Sequence, residues 1–195
     1  MTETQSFFRD SVTYVSRMGL FKREDWVVYF LWVGQILSLC LVVTAFFALG
    51  VTNGVEYPAY VWNIPIGTFI FSMAIAIDTI GHRTVYKEAL ASKGEALVHH
   101  ITIFAGIASV VLLCLAYHER EFFRIPAWVM TLLTVFYSAV DEAMHWFRYA
   151  AGNSDRVEMW SHFFIFVGHM IMMAAWVYWF EMGYPGVAET LAFLP

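Results

Sequence analysis

Charge is what this chain has least of. Only 14% of its 195 residues are charged, against 60% hydrophobic and 18% aromatic, and the mean hydropathy of +0.62 is far from that of a soluble domain. The scarcity excludes a water-soluble fold of ordinary composition and implies an integral membrane protein. The 11 basic residues form no tract, which argues against nucleic acid as a partner and against a polybasic lipid-binding tail. Cysteine is also rare. Cys40 and Cys114 fall inside apolar runs, away from the acidic and imidazole side chains, so they read as small buried residues and not as a disulfide or thiolate ligands.

What is present is a series of apolar segments, each long enough to cross a hydrocarbon core of about 30 Å. They run from Trp26 to Gly50, Ala59 to Tyr86, Glu95 to Tyr117, Ile125 to Tyr149 and Glu158 to Phe180. The first is too long for a signal-peptide core and ends in no small-x-small cleavage pattern, so it reads as a retained span. Gly54 and Pro58 turn the chain after it, and Pro65 is tolerable near the start of the second span. Val12, Val15, Met18, Leu20 and Phe21 suggest a short interfacial helix ahead of the membrane. The expected fold is all-α, a single transmembrane domain over 1–195 with about five spans.

Basic residues set an orientation. Arg9, Arg17, Lys22, Arg23, Arg83, Lys87, Lys93, Arg148 and Arg156 share one side of this topology, whereas Arg120 and Arg124 lie on the other. The positive-inside bias then places the amino terminus on the cytoplasmic side.

Against this apolar background, one pattern occurs twice. Asp78 and His82 are four apart, as are Asp141 and His145, so each pair occupies one helix face a turn apart. Tyr86 and Tyr149 extend the stripes and read as interfacial anchors, with a redox or proton-transfer role as the second reading. A histidine returns on the following span in the shared pattern His-x2-Ile-Phe-x-Gly, at His100 and at His162. The repeat covers approximately 75–106 and 138–168, and makes pseudo-repeated hairpins of spans two and three and of spans four and five. Both sets gather at one depth, with His100 and His162 roughly 9–11 Å inward of Lys93 and Arg156, on the side expected to be cytoplasmic.

An unpaired Asp at a helix centre costs about 2.5–3.5 kcal/mol on insertion, so such groups face a partner or a cavity. A divalent or redox transition metal would supply the partner; the other reading is a purely structural network of His–carboxylate hydrogen bonds. Asp78, His82, His100, Asp141, His145 and His162 are the candidate ligands, and a carboxylate with two imidazoles per half leaves open positions on a redox metal. Glu95 and Glu158 are either further ligands or helix-start acids complementing the dipole. Of the adjacent His99 and His100 only one can face inward well, and the shared pattern favours His100. His169, seven residues after His162, is an extra ligand, part of a polar path or a hydrogen-bond partner to a neighbouring helix. His118 belongs to a charged, solvated turn on the other side.

The Asp78/His82/His100 set, with its following Ile-x-x-Phe-x-Gly, and the Asp141-Glu-Ala-Met-His145 set with His162 resemble the C subunit of the copper membrane monooxygenases, the particulate methane and ammonia monooxygenases. The likeness covers roughly 75–170. It implies copper, with iron the other candidate metal, in one or two sites, and an O2-activating oxidoreductase or its metal-bearing subunit acting on a small apolar or lipid substrate. Electrons would come from a donor protein or quinol, and further membrane subunits or a second copy would be partners. Two other readings of the same residues are a transition-metal transport or handling protein and a haem-binding electron-transfer bundle.

Overall fold

The computed structural model describes residues 6–86 and 93–194, and among them there is no strand. Helix α1 spans Phe7–Ser16, capped by Ser6, whose hydroxyl accepts from the Arg9 N–H. A 3-10 turn at Arg17–Leu20 leads to α2, Arg23–Thr52. A second 3-10 turn, Ala59–Trp62, opens α3, Asn63–Thr84, where Pro65 sits in the first turn and removes only a donor that would be unsatisfied there. Helices α4, Lys93–Leu115, α5, Arg120–Ala150, and α6, Arg156–Glu181, follow, then a short α7, Val187–Leu191. Among the described residues five helices are long and apolar enough to cross a membrane, and the chain is a multi-pass membrane protein. Helix α5 starts earlier than expected, at Arg120 instead of Ile125, because Pro126 stays inside the helix without ending it.

The interfacial helix is present as expected. Asp10, Tyr14 and Arg17 lie on its inner face. Arg156 pairs with Asp10, and Arg17 Nη1 lies 3.0 Å from Asp155 Oδ2, so both ends of α1 are held by the turn before α6. Tyr14 between them is 1% exposed, whereas Phe8, Val12 and Val15 face outward, as a helix lying at the lipid interface presents its apolar side.

Helices pair differently from the sequence hairpins. α3 packs along α6 and α4 along α5, with α2 against α3 and a lighter α5–α6 contact, while α3 and α4 barely touch. The cause is a pair of glycines. A Cβ on Gly67 would stand 2.5 Å from Met172 N, and one on Gly168 2.6 Å from Phe71 N, so only bare backbones fit at this crossing. The α4–α5 pair is closed by Thr134, whose hydroxyl donates to Thr102 O at 3.1 Å. One half of the bundle is filled by an apolar cluster around Phe47, Ile64, Leu113, Ala127, Trp176 and Phe180. At that end Glu181 receives Arg120, Arg124 and Trp128, joining α5 to α6. Cys114 is exposed on the outer face of α4, which corrects its reading as buried; Cys40 is buried, its Sγ 3.7 Å from Pro65 O.

The glycine crossing has a direct test. Gly168→Val should separate α3 from α6 and cost at least about 1–3 kcal/mol, as overpacking does. Thermal unfolding in detergent should show a lowered Tm, and an unchanged Tm would mean that the backbones need not approach so closely.

Candidate metal centre

The other half of the bundle is polar inside. On α5 the buried residues Thr131, Thr134, Ser138, Asp141 and His145 follow alternating steps of three and four, which puts them in one stripe facing the interior. Asp78 and His82 from α3, Glu158 and His162 from α6 and the half-buried His99 from α4 meet this stripe at the end nearer α1. Asp155 caps α6 by accepting from the Val157 and Glu158 N–H groups, which fixes where Glu158 enters.

These side chains form two triads. His82, His145 and Glu158 make one, and His99, Asp141 and His162 the other; within each, one ligand-type atom per residue lies within 4.8 Å of the others. The triads adjoin across His145 and His162, whose rings stack at 3.4 Å and 15°. Hydrogen bonds orient both rings. His145 Nδ1 lies 3.0 Å from Asp141 O, so Nδ1–H donates and Nε2 turns toward Glu158 Oε1 at 3.8 Å. His162 Nδ1 lies 3.0 Å from Glu142 Oε2, leaving Nε2 3.4 Å from Asp141 Oδ2. Glu142 is itself held by Trp146 Nε1–H at 2.6 Å. A carboxylate or carbonyl behind each imidazole is the usual support of a metal-binding histidine. His99 Nδ1 approaches Asp141 Oδ2 at 3.3 Å, and His82 Nε2 approaches Asp78 Oδ2 at 3.2 Å.

Several buried atoms here lack a hydrogen-bond partner among the described residues: Asp78 Oδ1, both ring nitrogens of His82, Asp141 Oδ1, His145 Nε2 and Glu158 Oε2. Each such group left alone costs about 1–3 kcal/mol. Those of His82, His145 and Glu158 belong to one triad and that of Asp141 to the other, a donor set of the kind that a divalent cation satisfies. The residues present therefore fit a metal.

Most of the expected ligands converge. Asp78, His82, Asp141, His145 and His162 are in the layer, and Glu158 joins it as a triad member. Glu95 stands at its edge, paired with Arg148. His100 does not belong to the layer. It is exposed, its Nδ1 turned back to Ala96 O, and His99 takes the inward position. His99 lies seven residues before Gly106, at the face α4 packs against α5, and a step of one residue turns His100 away by about 100°. His169 lies deeper, its Nδ1 3.0 Å from Ser138 Oγ, outside both triads. His118 is exposed, as expected. Tyr86 is buried at 8% exposure, which corrects its reading as an interfacial anchor, while Tyr149 is half-buried.

Three residues were missed. Glu142 follows Asp141 directly, and Arg148 continues the α5 stripe three residues after His145, so the spacing of that stripe carried a signal for the arginine. Tyr14 gave none. Its hydroxyl is buried without a partner among the described residues and rests where a side chain on Gly81 would stand.

The phenols above the layer give it an alkaline signature. Burial pushes Tyr86 from 10.0 up to about 12, against a hydrogen bond accepted from the Asp155 N–H at 3.0 Å. Burial, reinforced by Asp78 and Glu158, raises Tyr14 further. An unfolded phenol ionises first, so the stabilisation from Tyr86 is full below about pH 10 and is lost as pH rises through about 12. Tm measured across this window should fall less steeply in Tyr86→Phe than in the parent; equal slopes would remove Tyr86 as a cause. No family model matches the chain, and neither does any curated protein or solved structure.

Proposed function

We propose that this chain is a membrane metalloprotein whose triads hold a divalent transition metal, copper or iron, and that it acts as an O2-activating oxidoreductase or as the metal-bearing subunit of one. The observation that carries the reading is the pair of adjoining sets, each of two imidazoles and one carboxylate, inside membrane-spanning helices and with unmatched lone pairs. The resemblance of Asp78/His82 and Asp141/His145 to the copper membrane monooxygenase C subunit points the same way. A metal in such a set supplies redox chemistry at its open positions.

The chain's own groups do the rest. Glu142 and the Asp141 carbonyl hold His162 and His145 with Nε2 toward the layer. The apolar cluster of the other half excludes water on one side of it. Exposed apolar residues along α4 and α5, among them Phe104, Ile107, Leu132 and Phe136, face the bilayer from which a small apolar or lipid substrate would come. Inserting one oxygen atom from O2 consumes two electrons and two protons and releases water, so a donor protein or quinol is part of the proposal, as are further subunits or a second copy. The basic residues near this end favour a cytoplasmic amino terminus and metal layer.

Transport is the second reading, favoured by the polar stripe of α5. That stripe ends one turn beyond Thr131, at Ala127, which belongs to the apolar cluster, and this supports a closed site over a path through the membrane. The haem reading is weakened by His145 and His162, whose direct stacking leaves no slot for a macrocycle between them.

Metal analysis of protein purified from native membranes tests the proposal. The parent should retain copper or iron, Asp141→Ala and His145→Ala should each lower the stoichiometry, and Asp78→Ala/Asp141→Ala should lose most of it. Full retention in the double variant would overturn the site.

A further inference from the structure

The two triads differ in the company their carboxylates keep. Glu158 Oε1 faces His145 Nε2 at 3.8 Å and also takes an ion pair from Arg148 Nη2, while Arg148 Nη1 pairs with Glu95. Asp141, in the other triad, has only imidazoles as its ion-pair partners among the described residues. The arginine is no surface visitor. Its side chain is 12% exposed and its guanidinium lies over the Tyr86 ring at 5.5 Å. A guanidinium keeps its charge at any accessible pH, so it cannot be neutralised to make room for a second cation.

Resting on the reading of the triads as metal sites, we propose that Arg148 is a built-in competitor for the cation at His82–His145–Glu158, so that the His99–Asp141–His162 triad fills first and the arginine sets a weaker affinity for the second ion. An ion entering beside Glu158 shares the carboxylate with the guanidinium and is repelled by it. The geometry also provides for the hand-over. Glu158 Oε2 is buried with no hydrogen-bond partner among the described residues, and Glu95 still holds the arginine when Glu158 turns away. Nε of Arg148, already without a partner among the described residues, loses nothing in that movement.

Cobalt(II) titration of the whole chain in lipid nanodiscs, followed by visible absorption, tests this. The parent should fill in a tight phase and a weaker one. Arg148→Gln should tighten the weak phase by at least about tenfold and leave the tight phase in place, whereas Arg148→Lys, which keeps the charge, should stay near the parent. Glu95→Gln removes the charge of the arginine's other carboxylate, leaving the guanidinium to Glu158, and should weaken the second phase further. An unmoved second phase in Arg148→Gln overturns the proposal. Should that variant lose the tight phase as well, it has lost its fold, and Glu95→Gln then decides, an unchanged second phase counting against the proposal. A tight phase that Asp141→Ala leaves in place, or a single phase in the parent, would overturn the filling order and leave the metal reading standing; no cobalt uptake by the parent would remove both.

Discussion

The approach of two backbones at Gly67 and Gly168 governs the whole interior. Because neither position carries a side chain, α3 lies against α6, and the residues a few turns along from the crossing are brought within ligand distance of one another. Asp78 and His82 stand eleven and fifteen residues beyond Gly67, and His162 and Glu158 six and ten residues before Gly168. Because the two helices run antiparallel, they carry these groups to the same end of the bundle. α5 then adds its stripe from the side, and α4 reaches the layer through α5.

The membrane makes this arrangement costly to leave unfinished. In water an unpaired carboxylate is solvated; in a bundle surrounded by lipid it depends on what neighbouring helices supply. Asp141 meets three imidazoles and Glu158 an imidazole and a guanidinium. The opposite half of the molecule handles charge in another way, gathering Arg120, Arg124 and Trp128 on the single carboxylate of Glu181 near the helix ends. One end thus concentrates lone pairs inside the bundle, and the other keeps its charges near the surface.

Much of this was legible in the sequence. Long apolar runs gave the spans, and the four-residue spacing of Asp78/His82 and Asp141/His145 put each pair on an inner face. The repeat misled where it assumed that the halves pack alike: α6 is turned by its glycine contact with α3, whereas α4 is turned by Thr134 of α5, so equivalent histidines do not point equivalently, and His99 enters in place of His100. Partners that act across helices, such as Glu142 behind His162, follow from packing and have no local signature except adjacency. Tyr14 is the extreme case, a residue of a polar amino-terminal segment whose burial depends on a turn some 140 positions away, through Arg17 with Asp155 and Arg156 with Asp10.

That clamp between α1 and the turn before α6 has a consequence for biogenesis. Chains are made from the amino terminus, so α3 enters the bilayer carrying Asp78 and His82 before α5 and α6 exist. Tyr14 can reach Gly81 once α3 is made, but α1 has no clamp until Asp155 and Arg156 follow. The earliest segment of the chain is therefore among the last to find its place, and it marks the point at which the helices behind it have assembled.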